Sequence, residues 1–248
     1  MFRSVITGDN CIFIVQSWSL TCKEDEFSIL VFMASVYFLE KHHTFSMGNI
    51  FVDAEQEEIE SVSYEKCTKV KLGEHDRGSN VEPFQVKLVS KVITQPLYSI
   101  TTINNDIALL KLSSPVTFTP RISPVCLAPS TISILPGTRC FTTGWGQTAT
   151  TSTPMILQET RIPITSPAVC RQIWGKSIIT DAMICAGGSG SSSCQGDSGG
   201  PLVCEHSGVW TLVGSVSWGR SSCDTRFPAV YARISQLRSW IDTAIASN

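Results

Sequence analysis

The residues best suited to chemistry stand in Cys194-Gln195-Gly196-Asp197-Ser198-Gly199-Gly200-Pro201. A serine hydroxyl is a poor nucleophile at neutral pH. It needs a base to take its proton and donors aimed at the oxyanion that forms when it attacks a carbonyl. Glycines on both sides let the backbone turn tightly and bring N–H groups to bear on one point, and Ser198 lies between Gly196 and Gly199-Gly200. Such a glycine-rich stretch also suits a plain surface turn. A second candidate, Asp106, stands in Asn104-Asn105-Asp106-Ile107-Ala108-Leu109-Leu110, at the mouth of an apolar strand. A carboxylate buried there would be costly without a hydrogen-bonding partner. In an acyl-transfer triad that acid orients a histidine and stabilises the imidazolium; its plainer role is to cap the turn that starts a strand.

These residues need a framework. Beyond about residue 69 the chain reads as short strands with turn signals between them. Gln85-Val86-Lys87-Leu88-Val89 and Ile107-Ala108-Leu109-Leu110-Lys111-Leu112 alternate; Val125-Cys126-Leu127, residues 140–146, Pro201-Leu202-Val203-Cys204, residues 210–218 and Ala229-Val230-Tyr231-Ala232-Arg233 follow. The pattern predicts a β-barrel or sandwich. Leu237, Trp240, Ile241, Ala244 and Ile245 recur at helical spacing, which predicts an amphipathic helix over residues 235–246 docked on the strands. Residues 1–68 are unlike this. An apolar run at 27–39 is too short to span a membrane and reads as a buried helix or strand; the acidic stretch 53–65 reads as a solvated helix or loop.

Composition narrows the function classes. A formal net charge of -2 leaves no electrostatic footprint for nucleic acid or an anionic membrane. Ten cysteines among 248 residues suit a secreted, disulfide-braced protein. None forms a C-x-x-C pair or lies near clustered histidines, which argues against zinc. The opening residues form no convincing signal peptide, since Asp9 and Asn10 interrupt them.

From about residue 70 to 248 the chain resembles the trypsin/chymotrypsin family of serine endopeptidases, its chymotrypsin branch in particular. Besides the residues above, the resemblance is carried by Leu72-Gly73-Glu74, Thr143-Gly144-Trp145-Gly146, Asp181-Ala182-Met183-Ile184-Cys185-Ala186-Gly187, Ser217-Trp218-Gly219 and Val230-Tyr231-Ala232-Arg233. It implies an all-β fold of two antiparallel β-barrels with a C-terminal helix. The second barrel, about residues 120–233, should be complete and the first incomplete unless residues 1–68 supply its opening strands. It also implies Ser198 as nucleophile, Asp106 as orienting acid, and the N–H groups of Gly196 and Ser198 as the oxyanion hole. Ser217, Trp218 and Gly219 would pair with the substrate backbone, and Trp218 would wall the specificity pocket. Ser192 would be that pocket's floor, where an uncharged residue favours a large apolar or aromatic side chain, and Ala229, where many relatives have Gly, would make it slightly shallow. Three disulfides are implied: Cys140 with Cys204, Cys170 with Cys185, and Cys194 with Cys223. Cys126 matches a cysteine that in chymotrypsin ties to the propeptide; its partner here is not identified, and Cys11, Cys22 and Cys67 stay unassigned. The resemblance further implies an extracellular monomer acting on protein or peptide substrates, open to protein protease inhibitors, with no cofactor, metal, nucleic acid or membrane.

The pattern breaks at the general base. The family's histidine precedes the acid by about 45 residues, and no histidine occurs between His43 and His75. Neither His42 nor His43 has the right neighbours, His75 falls in a loop, and His206 reads as surface. Relatives also free an N-terminal ammonium that pairs with the acid matching Asp197; Val5-Ile6-Thr7-Gly8 echoes that terminus only in part. Residues 1–68 therefore read as a non-homologous segment ahead of a partial protease domain at 69–248. Three readings follow: an endopeptidase by ancestry whose opening exons are replaced, almost without turnover; a non-catalytic homologue that binds peptides or partner proteins; or an unrelated N-terminal interaction module on a braced β scaffold. The intact serine, acid and pocket favour the first.

Overall fold

The computed structural model describes residues 70–248 in full and, upstream, the backbone of Lys69 and of four short strands. Those are β1 (Cys11–Phe13), β2 (Leu30–Met33), β3 (Phe45–Met47) and β4 (Ile50–Asp53). The first sheet adds β5 (Lys69–Leu72), β6 (Gln85–Thr94) and β7 (Ala108–Leu112), in the order β2-β7-β6-β5-β4-β3, all antiparallel. Three of its strands thus come from residues 1–68. The apolar run at 27–39 holds one of them; of the acidic stretch only Asp53 lies within the described residues.

The second sheet is built from β1 together with β8 (Pro124–Leu127), β9 (Arg139–Gly144), β10 (Gln158–Pro163), β11 (Met183–Gly187), β12 (Pro201–His206), β13 (Val209–Trp218) and β14 (Pro228–Arg233). Its main path is β1-β8-β13-β12-β9-β10, and β14 joins β13 to β11. The β8–β13 pairing is parallel, with Thr211 opposite Cys126 and Leu212 opposite Leu127. The molecule is a mostly β, two-sheet structure of the chymotrypsin-like two-barrel type.

Strand β7 shows how alternation joins the halves. Leu109 and the preceding Ile107 face the large core of the second sheet, whereas Leu110 and Leu112, of opposite parity, pack with Val70, Leu72, Val89 and Ile122 in the first. Because side chains alternate across a strand, one short segment serves both cores and sets Asp106, just ahead of it, at the seam between them.

Two helices complete the fold. α1 (Pro167–Trp174) is started by Ser166, whose hydroxyl accepts from the Val169 N–H, with proline in the first turn, and is closed by Gly175 at φ 110. α2 (Ile234–Ala246) begins one residue before the expected start and buries Ile234, Leu237, Ile241 and Ala244 against the second sheet. Burying each of the large aliphatic side chains contributes about 1.5–3 kcal/mol. Arg238 anchors the same face, donating to the carbonyls of Leu127 and Ala128 while pairing with Asp242.

Candidate active site

The loop that follows β11 delivers Ser198 at the foot of β12. Its shape is held by backbone bonds that few other residue types would permit. The Asp197 N–H donates to the Cys194 carbonyl (3.1 Å) and the Gly200 N–H to the Asp197 carbonyl (2.8 Å). Strand β13 then grips the far side: Gly199 N–H donates to the Val216 carbonyl (2.9 Å), and Val216 N–H donates to the Gly200 carbonyl (2.8 Å). Gly196 sits at φ 92, a conformation L side chains rarely adopt. Two consequences matter chemically. The N–H groups of Gly196 and Ser198 have no acceptor among the described residues, and neither does the Ser198 hydroxyl have a hydrogen-bond partner there.

Asp106 is 4% exposed and accepts a hydrogen bond from the Ser217 hydroxyl at 2.5 Å. Ser217, which the sequence placed on the substrate-facing strand, therefore also braces this buried carboxylate. Trp218, next on β13, meets Trp174 edge to face at 5.0 Å between ring centres, and Trp174 is itself tied to the Pro228 carbonyl through its indole N–H (3.2 Å). Helix α1 thus stiffens the wall of the site.

Beside Ser198 opens a cavity of about 220 Å³ lined by Ser192, Val216, Trp218, Gly219 and Ala229. An apolar cavity of about 150 Å³ already takes a benzene ring, so this one has room for a large side chain. Behind Ser192, the hydroxyls of Ser193 and Tyr231 lie 2.5 Å apart, with Thr142 at 3.4 Å from Ser193. Tyr231 is fully buried, and burial pushes its phenol up to about 12. This neutral network was not singled out from sequence, although Tyr231 lies in a motif that carries the resemblance. Arg220 stacks over the Phe227 ring, 3.8 Å from its centre, and Gln195 reaches the Ser221 carbonyl (2.9 Å); all four residues line the cavity. The structure holds the three disulfides Cys140–Cys204, Cys170–Cys185 and Cys194–Cys223, the last joining the serine loop to the segment after β13.

Asp197 points away from Ser198. Its carboxylate accepts from the N–H groups of Gly146 (2.8 Å) and Cys194 (2.9 Å) and faces a second cavity of about 460 Å³ lined largely by Thr, Ser and Gly. The approach is close enough that a Cβ on Gly144 would lie 2.0 Å from Asp197 Oδ1, and one on Gly146 at 2.4 Å from its carboxyl carbon. Burial raises the acid above the ordinary 3.8, and the two backbone donors offset this only in part. A carboxylate with a raised folded-state pKa weakens folding as the pH rises from its unfolded value through its folded one, since the unfolded chain ionises first. The stability difference between Asp197→Asn and the parent should therefore shift in the parent's favour as the pH falls from neutral towards 4. Thermal unfolding across that range checks this; a constant difference would show an unperturbed acid.

The described histidines lie elsewhere. The backbone N–H of His75 donates to Glu82, its carbonyl accepts from Leu157 N–H and the Trp145 indole, and its Nδ1 is buried without a partner. His206 is exposed at the end of β12. Neither bonds to Ser198 or Asp106. His42, His43 and residues 5–8 lie outside the described residues. In the loop of residues 74–82, Glu82 also receives the Asp76 N–H and pairs with Arg121, while Glu74 pairs with Lys71; no group of three metal-ligating side chains occurs among the described residues.

Comparison with known proteins matches residues 60–241 to the trypsin family. Human transmembrane protease serine 5 is 40% identical over 172 residues, covering 67% of this chain and 38% of that protein, so the chain spans well under half of that relative. No helix among the described residues is long and apolar enough to cross a membrane.

Proposed function

Since this chain belongs to the trypsin family of serine proteases, we propose that it presents an endopeptidase site for large apolar or aromatic side chains whose serine lacks its general base. Protein substrates follow from the family. In this reading Ser198 is the nucleophile, the open N–H groups of Gly196 and Ser198 are the oxyanion donors, and Asp106 is the orienting acid. Ser217, Trp218 and Gly219 form the strand along which a peptide would lie. The disulfides favour an extracellular setting.

The observation that carries the specificity is the uncharged cavity floor. Ser192, with the neutral Ser193–Tyr231 network behind it, offers no anion to a Lys or Arg side chain, and the carboxylate of Asp224, which also lines the cavity, is already held by Arg226. Burying a cationic side chain there would leave its charge unpaired, whereas a phenyl or phenol ring gains from burial and needs no partner charge. Ala229, 5% exposed, adds a methyl to the lining and argues against indole.

Calorimetric titration tests this without requiring turnover. A peptide ending in Phe should bind and one ending in Arg should not. Ser192→Asp should reverse the order, with a gain for Arg of about 10- to 150-fold, the worth of a charge-assisted hydrogen bond of about 1.5–3 kcal/mol. Equal binding of both peptides, or of neither, would refute the pocket assignment. Binding with no turnover would also suit a peptide-binding homologue, a reading that the intact cavity supports.

A further inference from the structure

We propose that Arg220 recognises an acidic side chain in the bound peptide, at the third residue ahead of the aromatic one that fills the cavity beside Ser198. The proposal rests on the pocket reading above and extends it to a second position of the peptide. Arg220 directly follows Ser217-Trp218-Gly219 and lines the same cavity as Ser198. It is exposed, and its guanidinium makes no hydrogen bond or ion pair among the described residues; its one partner is the Phe227 ring, 3.8 Å away at the centre. Asp224, a carboxylate on the same turn, is taken by Arg226, whose Nε and Nη2 both donate to it (2.9 and 2.6 Å). Arg220 is thus a cation with its hydrogen-bond donors still open.

The turn that carries it is held in place. Cys223 N–H donates to the Arg220 carbonyl (2.9 Å), the Gln195 amide donates to the Ser221 carbonyl (2.9 Å), and the Cys194–Cys223 disulfide ties the turn to the serine loop. Phe227 is half-buried, with its ring centre 6.1 Å from that of Trp174. A guanidinium already seated on a fixed aromatic face loses little freedom when it pairs, and its planar fork of N–H donors matches a carboxylate. The direction of the peptide follows from strand pairing, because antiparallel partners run in opposite order. With its aromatic residue abreast of Ser217, the two residues before it pass Trp218 and Gly219. The next one back comes abreast of Arg220. A Glu or Asp there meets the open guanidinium, whereas a Lys or Arg meets like charge.

The test is calorimetric titration of the full chain with acetylated peptide amides X-Ala-Ala-Phe, where X is Glu, Gln or Lys. At low salt the Glu peptide should bind up to about fivefold tighter than the Gln peptide, the upper worth of an exposed ion pair, and the Lys peptide should bind more weakly than either. Raising the salt to about 0.5 M should shrink the preference, since exposed charges are then screened. In Arg220→Glu the order of the Glu and Lys peptides should reverse while the Gln peptide still binds. Equal binding of all three peptides by the parent would overturn the role of Arg220 and leave the aromatic pocket standing, whereas binding of none would overturn both. A preference for Glu that survives in Arg220→Glu would assign the carboxylate to another cation and overturn the proposal too. The parent's three titrations decide the matter even if the variant folds poorly.

Discussion

Purified as this sequence stands, the chain should hydrolyse a Phe- or Tyr-ended peptide amide about 10⁶-fold more slowly than a relative with a complete triad, equivalent to roughly 8 kcal/mol of transition-state stabilisation. The site has a serine in a glycine turn, two open backbone donors beside it and a buried acid braced by Ser217. What the sequence lacks is an imidazole at the spacing that would carry the proton from one to the other. Donors without a base still stabilise an oxyanion, so a residual rate over water of about 10³–10⁴ remains. Because members of such a unit act together, Ser198→Ala should leave that residual rate nearly unchanged, whereas in a working triad it would abolish most activity. An organophosphonate probe gives the sharper readout. Labelling of Ser198 at the rate of a competent protease would mean that His42, His43 or another base reaches the hydroxyl, and the idle-site reading would fall.

Replacing both Cys140 and Cys204 by alanine should lower stability by about 4 kcal/mol, read as a fall in the denaturant midpoint. The bond closes a loop of 64 residues and joins β9 to β12 in the middle of the second sheet. In the loop-closure account the gain comes mainly from restricting the unfolded chain and grows slowly with loop length. Removing Cys170–Cys185, which closes only 15 residues, should accordingly cost less, about 3 kcal/mol. Both cysteines of the first pair also lie in the main core, at 0% and 4% exposure, so loss of their sulfurs opens space that apolar neighbours such as Leu202 must fill. A larger penalty for the 15-residue loop than for the 64-residue one would contradict this ordering.

The strands that were legible in the sequence are those with one buried face or a fully buried run, such as β7, β8 and β14. Where legibility failed, the cause is local. Strand β6 continues to Thr94, but a register shift between Val89 and Lys91 breaks the alternation at the residue where the pattern stops being readable. At the end of the second sheet's main path, β10 buries only Ile162, so its polar composition conceals a strand. Helix α1 buries only Cys170 and has too few turns for a visible period; Ser166-Pro167 was the available signal.

By itself, the sequence determined the serine turn, the acid at the head of an apolar strand, the uncharged Ser192 and the missing histidine spacing. Each depends on neighbouring residues and on backbone conformations that side-chain type dictates locally. Only the tertiary structure decided that Ser217 would hold Asp106 across 111 positions, that Tyr231 would back Ser193, that β8 would run parallel to β13, and that β1 would pair with β8. Those partnerships follow from the order in which strands pair within each sheet and from how the two sheets meet. That order is selected by how whole faces bury together, and no local periodicity records it.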